Sequence, residues 1–320
     1  MGAGDFLRKE AQTPLTEHYI MAGEPGSVST NSEPILAAAR DCFCLLGTRP
    51  YEARLHLRFW VDPKGITNHP WPKPFFRGLD HLIFAGFDSQ SSILVDLRSR
   101  RAIGRFSPAM GADRHFWKTV IFPVLISIMG PTVGITELHC GCVSREGRGL
   151  LLVGRSGSGK STLALALAQA GFAYLTDDRT YISSRGGRMT AWGLPTFLKL
   201  RPDAVEWFRE VGDLAGASAK DGEQALRIDP TRELGVRRLQ HCEPRGLVFL
   251  QRQKHPGFDL STMPRAEATA QLEADLIAEA PDAVERQRGM IANLVELPCW
   301  RLAYGGSPQA VAQELSRRNW

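Results

Sequence analysis

The segment Gly154-Arg-Ser-Gly-Ser-Gly-Lys160-Ser161-Thr162 constrains this chain more than any other. It is a complete G-x-x-x-x-G-K-[ST] loop, a pattern whose backbone amides cradle phosphate. Its setting is the one the pattern requires. The apolar run Gly149–Val153 precedes it and reads as a buried strand. The run Thr162–Ala170, rich in alanine and leucine, follows it and reads as a helix, with Gly171 where a C-cap is expected. A helix N-terminus behind a glycine loop favours an anion through its free N–H groups and its dipole. The loop Gly154, Arg155, Ser156, Gly157, Ser158, Gly159, Lys160, Ser161 and Thr162 is therefore read as a nucleoside-triphosphate site. Lys160 would reach the β- and γ-phosphates, and the Ser161 hydroxyl would face Mg²⁺.

The 320 residues suffice for one large or two ordinary domains. From about residue 53 the chain alternates as half-buried strands do, in 53–61, 81–87, 92–97 and 102–106. Residues 1–32 read as a loose lead-in, 34–47 as a short helix ending at Gly47, and 63–80, with four prolines, as irregular. Residues 112–129 read as a buried helix; the apolar part, 119–129, is too short to span a bilayer. This gives a small α+β N-terminal domain over 1–130, expected to bind substrate or build a homo-oligomer. A second domain is expected over 131–320, with strands at 135–141, 172–176, 180–183, 247–251 and 300–304. Helices are expected there at 203–211, 265–279, 282–295 and 307–318.

A net charge of +5 spread over the chain, with only short runs such as Arg98-Ser-Arg-Arg101, argues against a nucleic-acid groove. The first thirty residues show no apolar core of a secretion signal, so a cytoplasmic, reducing setting without a membrane partner is expected. The six cysteines include two C-x-C pairs, Cys42/Cys44 and Cys140/Cys142. Zinc spacing usually has two or more intervening residues, so buried free thiols are the expectation.

Two further features bear on chemistry. Asp177-Asp178 closes the strand Phe172–Thr176, 18 residues beyond Lys160. At a strand end both carboxylates can converge beside the γ-phosphate, one for the metal and one for the acceptor's proton. His139 lies on a strand expected to neighbour the loop strand.

Together, His139, the loop Gly154–Ser161 and Asp177-Asp178 resemble the HPr kinase/phosphorylase catalytic domain. Gly171-Phe-Ala-Tyr-Leu-Thr-Asp-Asp178 is similar to the shorter HPr-kinase-related serine kinases. The resemblance is strong over about 132–185, weaker to the C-terminus, and does not cover the front domain. It implies an α/β fold, a P-loop core of the HPr kinase and phosphoenolpyruvate-carboxykinase type with a mixed sheet. It implies ATP and Mg²⁺ as cofactors and a peptide or small protein bearing a serine as acceptor. In roles, it implies Lys160 on the transferring phosphoryl group, Ser161 on the metal, Asp177 on the metal or orienting the acceptor hydroxyl, Asp178 as general base and His139 as the active-site histidine. The departures are Thr162, where the family usually has glutamate, and a missing metal-binding glutamate: Met189–Gly193 holds no carboxylate, and Asp203 is in a different context. The family's later arginine has three candidates, Arg201, Arg227 and Arg245. A small-molecule hydroxyl kinase, such as one acting on free serine, and a nucleotide-gated binding module without transfer are the alternative readings.

Overall fold

The computed structural model describes residues 12–46, 51–65, 69–214, 226–276, 281–318 and 320. They form two compact units, one ending at Val133 and the other starting at Gly134.

The first unit is built on an eight-stranded mixed sheet. Its strands are β1 (Leu15–Met21), β2 (Glu24–Thr30), β3 (Cys44–Leu45), β4 (Leu55–Val61), β5 (Phe75–Leu79), β6 (Leu82–Gly86), β7 (Ser92–Asp96) and β8 (Arg101–Phe106). The order is β3-β1-β2-β4-β8-β7-β6-β5. β2, β4 and β8 run parallel, and β5 to β8 form an antiparallel meander.

Two segments overturn the sequence expectation. The lead-in is a hairpin, because Ala22 and Gly23 both take positive φ (48° and 101°), the twist that a tight two-residue turn needs. The proline-rich stretch also holds a strand: β5 starts directly after Pro74 and lies at the sheet edge, where a neighbouring proline costs no ladder bond. The helix expected over 34–47 spans Glu33–Cys42; Gly47 lies outside the described residues.

The apolar helix is longer than its apolar core. The run Arg114–Val133 is 20 residues, long and apolar enough by length and composition alone to cross a bilayer. Its Trp117, Ile121, Phe122, Leu125, Ile126 and Met129 are buried in the core of the first unit. The turn Trp117–Ile121 is wide, with Phe122 N–H reaching Trp117 C=O, immediately before Pro123, which has no N–H to give.

The second unit is a mixed sheet covered on both faces. Its strands are β9 (Thr136–Leu138), β10 (Cys140–Arg145), β11 (Arg148–Val153), β12 (Ala173–Thr176), β13 (Thr180–Arg185), β14 (Arg188–Gly193), β15 (Leu198–Leu200), β16 (Leu226–Ile228), β17 (His241–Arg252), β18 (Gly257–Thr262) and β19 (Cys299–Gly305). β11, β17 and β19 are parallel neighbours. β10 and β12 continue the sheet on one side and β18 closes the other, all antiparallel. The beginning of β17 also pairs with β14, which leads through β13 to β9. β15 and β16 form a separate ribbon.

Leu150 and Leu152 pack with Leu163 and Leu167 of helix Lys160–Gln169 and with Val311 and Leu315 of helix Pro308–Ser316. Leu151 and Val153 pack on the other face with Leu272 of helix Arg265–Glu273 and with Ile291 and Leu294 of helix Pro281–Leu294. A strand buried on both faces reads as a continuous apolar run, as Leu150–Val153 does. Burying each such leucine contributes about 1.5–3 kcal/mol.

The helix expected over 265–279 spans Arg265–Glu273, and 277–279 lie outside the described residues. The helix expected over 203–211 is two pieces, a short 3-10 turn Pro202–Glu206 and a helix Arg209–Leu214. The strand expected over 135–141 is broken at His139. β9 bonds to β13, whereas β10 bonds to β11 and β12, so the chain changes partners at that residue.

Candidate active site

The glycine loop sits at the carboxyl end of β11, where open sheets with parallel strands bind ligands. Gly157 and Gly159 take φ of 81° and 91°, which a side chain would resist. Room is short as well. A Cβ on Gly154 would lie 2.5 Å from Ser158 Oγ, and one on Gly157 would lie 2.9 Å from the Arg201 guanidinium. A Cβ on Gly159 would collide with the Tyr304 hydroxyl. That hydroxyl donates to the carbonyls of Ser158 and Gly159 at 3.3 and 3.4 Å, so β19 braces the loop from behind. The Arg252 guanidinium stacks 5.1 Å from the Tyr304 ring centre. Arg155 and Ser156 are exposed at the loop tip, and Thr162 is half-buried in the first helical turn.

Lys160 is buried and folds back, its Nζ donating to Gly154 C=O at 2.6 Å. Burial pulls its pKa down, opposed first by the charge of Asp178. Ser158 Oγ is buried with no hydrogen-bond partner. An orphaned hydroxyl, a lysine satisfied only by loop carbonyls, and a cradle kept open by two left-handed glycines fit a bound phosphate chain.

The two aspartates follow β12 and take different partners, while the charges of both act on Lys160. Asp177 is buried. It accepts from the Tyr174 hydroxyl at 2.8 Å, bonds the Ser161 side chain, and accepts weakly from the Lys199 N–H at 3.4 Å. Burial raises its pKa in spite of those bonds. Asp178 is half-exposed, with His139 Nε2 2.9 Å from its Oδ1. The hydrogen bond with His139 holds its carboxyl below the usual range, against the opposing effect of burial. His139 Nδ1 lies 3.8 Å from Asp275 Oδ2. The break between β9 and β10 is what frees His139 to meet Asp178.

Ser161 with Asp177 would hold one side of a magnesium ion, leaving its other positions to phosphate and water, as magnesium sites usually do. Among the described residues no group of three or more His, Cys, Asp and Glu is placed to hold a metal on its own. Cys140 and Cys142 are buried in the sheet, and Cys142 Sγ lies 3.7 Å from Cys242 Sγ.

Of the three candidate arginines, only Arg201 is placed at the loop by a contact described above. Arg227 lies opposite Lys199 in the β15–β16 ribbon. Arg245 pairs with Glu243 at 3.0 Å, in the first half of β17, while the loop lies beside its far end. Asp203 is exposed on the turn after Arg201. Tyr174, Lys199, Arg252, Asp275 and Tyr304 were not singled out in the sequence. Only Tyr174 left a signal, being a polar-tipped ring in a mostly apolar strand, three residues before Asp177.

The burial of Asp177 has a measurable consequence. A carboxyl with a raised folded pKa holds its proton more tightly folded than unfolded. Stability therefore falls as pH rises through the window above the ordinary aspartate value. Asp177→Asn keeps an acceptor for Tyr174 and removes the charge. It should raise Tm of the ligand-free protein at neutral pH by about 2–4 °C, the effect of ~1 kcal/mol in a unit this size, and flatten that pH slope. Thermal melts from pH 4 to 8 check this; an unchanged or lowered Tm with the slope intact would show that the charge carries no cost.

No known family model matches the chain, and no curated protein matches it. Among solved structures the chain is similar to the Hpr(Ser) kinase/phosphatase from Coxiella burnetii, at 12% identity over 57% of this chain and 95% of that one, with a TM-score of 0.32. That is a distant likeness of fold alone.

Proposed function

We propose that the protein is an ATP-dependent kinase that transfers the γ-phosphate to a hydroxyl, most simply a serine of a peptide or small protein. The observation that carries this reading is the division of the acidic pair at a phosphate loop. Asp177 is bonded to Ser161, and Asp178 is bonded to His139. A protein that only binds nucleotide needs the first carboxylate and has no use for the second.

Bound magnesium ATP would supply the phosphoryl group and neutralise its charge. The loop amides and Lys160 would hold the β- and γ-phosphates, with Nζ leaving the Gly154 carbonyl for them. Asp178 would accept the acceptor hydroxyl's proton at a carboxylate oxygen as the hydroxyl oxygen bonds to the γ-phosphorus and the bond from that phosphorus to the β-phosphate oxygen breaks. A carboxylate with a lowered pKa is a weak base. Phosphoryl transfer passes through a loose transition state in most analyses, so the base is needed late and mainly to orient the hydroxyl. His139 would keep Asp178 ionised and aimed.

The decisive experiment offers radiolabelled ATP to candidate acceptors. Label on a peptide serine supports the reading. Label on free serine alone would replace it with the small-molecule kinase. Tight ATP binding with no transfer to any hydroxyl would leave the nucleotide-gated module. A second experiment tests the pairing. Removing the His139 bond lets the Asp178 pKa rise, so the acid limb of the pH–kcat profile should move to higher pH in His139→Gln. An unmoved limb would mean that Asp178 is not the group titrating there.

A further inference from the structure

The outer part of the first unit's sheet is finished unlike the rest of the molecule. Five of the eight large apolar side chains exposed among the described residues lie on β5, β6 and β7: Phe75, Phe76, Leu79, Phe84 and Leu94. Four of them share one face. Phe84 is directly opposite Leu94 in register, Arg77 is directly opposite Phe84, and Phe75 and Leu79 flank Arg77 on its own strand. The patch is ordered. The Phe75 ring lies over Gly86, filling the space a Cβ would need, and sits 5.8 Å from the Phe84 ring. Leu79 is 77% exposed and Phe75 52%.

The strand that carries this patch is an edge. β5 pairs with β6 and, among the described residues, with no other strand, so alternate backbone N–H and C=O groups along it are open to a further strand. Proteins usually blunt such an edge, and five exposed residues with three large apolar side chains do the reverse.

We propose that β5 is a docking edge for an extended peptide segment, which adds to the sheet as a further strand. The chemistry of β5 specifies that segment. Side chains on the patch face of an added antiparallel strand would stand opposite Phe75, Arg77 and Leu79. The complementary pattern is apolar, acidic, apolar at alternate positions. The same charge disfavours a second copy of this chain as occupant. Symmetric antiparallel pairing of Phe75–Leu79 with itself puts Arg77 against Arg77, and like charges directly opposite are destabilising. Recruiting a peptide acceptor is the role this gives the first unit, and only that role rests on the kinase reading; the binding does not.

The test uses the full chain without ATP. The probe is a fluorescein-labelled heptapeptide, Thr-Val-Thr-Glu-Thr-Val-Thr, followed by anisotropy at low and moderate salt. The wild type should bind it with Kd on the order of 100 µM, as main-chain pairing with few anchors allows. A lysine in place of the glutamate should weaken binding by about ten-fold. Arg77→Glu should reverse that preference, and Leu79→Lys should weaken both peptides. N-methylation of one alternate set of peptide amides should abolish binding, and methylation of the other set should not, which only strand addition predicts. Equal binding of both peptides to wild type and Arg77→Glu would overturn the proposal. So would tighter binding of a ten-residue thymidine oligonucleotide lost on the same substitutions, or a dimer in sedimentation that Leu79→Lys dissociates. Failure here with ATP turnover intact removes the docking edge and leaves the kinase; peptide binding without turnover does the opposite.

Discussion

Asp178→Asn is expected to lower kcat by about 10³-fold while changing ATP affinity less than about three-fold. The asparagine keeps the size of the side chain and an oxygen for His139 but cannot take a proton. The phosphate loop, Lys160 and the Ser161–Asp177 pair do not depend on Asp178 for any hydrogen bond, so the binding side of the site should stay assembled. Fluorescence titration with a mant-labelled ATP analogue gives affinity, and label transfer gives kcat. If kcat and affinity fall together, Asp178 serves binding. If neither falls, the proton goes elsewhere and the split acidic pair loses its meaning.

Gly159→Ala should be as severe, on binding. The residue is left-handed, which costs a non-glycine residue roughly 1–2 kcal/mol, and its new methyl collides with the Tyr304 hydroxyl. The loop can relieve that only by moving off the helix N-terminus, so ATP affinity should fall by about 100-fold or more. The collision is with an oxygen, and the next atom of the ring is 3.4 Å from where the methyl would stand. Tyr304→Phe removes that oxygen. The double variant Gly159→Ala/Tyr304→Phe should therefore recover about ten-fold of the lost affinity, although Tyr304→Phe alone weakens the loop's brace. Such a sign reversal in a double-mutant cycle marks direct contact. Additive losses would place the damage in the backbone angle alone.

What could be read from the sequence follows from how local each cause is. The strand, glycine loop and helix around Lys160 are contiguous, and each element's pattern lies in its own residues. The hairpin between β10 and β11 is equally local: Glu146 and Gly147 carry the positive φ that a two-residue turn demands. The hairpin Leu15–Thr30 escaped because its second strand is polar and small and only Tyr19 and Met21 are buried on the first. β5 escaped because none of its five residues is buried, so it shows no alternation at all. In the site, residues near one another in sequence were found from their motifs. Arg252, Asp275 and Tyr304 were not, since they reach the loop or His139 only through tertiary pairing. The different partners of Asp177 and Asp178 were not legible, because the Asp178 partner, His139, is brought to it only by the strand break between β9 and β10.

The Tyr304 brace also sets an order of events in synthesis. The hydroxyl lies 146 residues after Ser158, whose carbonyl it holds, and it arrives with β19, the strand that pairs with β17. A ribosome will have completed the entire glycine loop and its helix long before that support exists. Until then the growing chain carries a legible nucleotide motif with nothing behind it. On the proposed function, ATP would then be a ligand of the finished fold, rewarding completed chains.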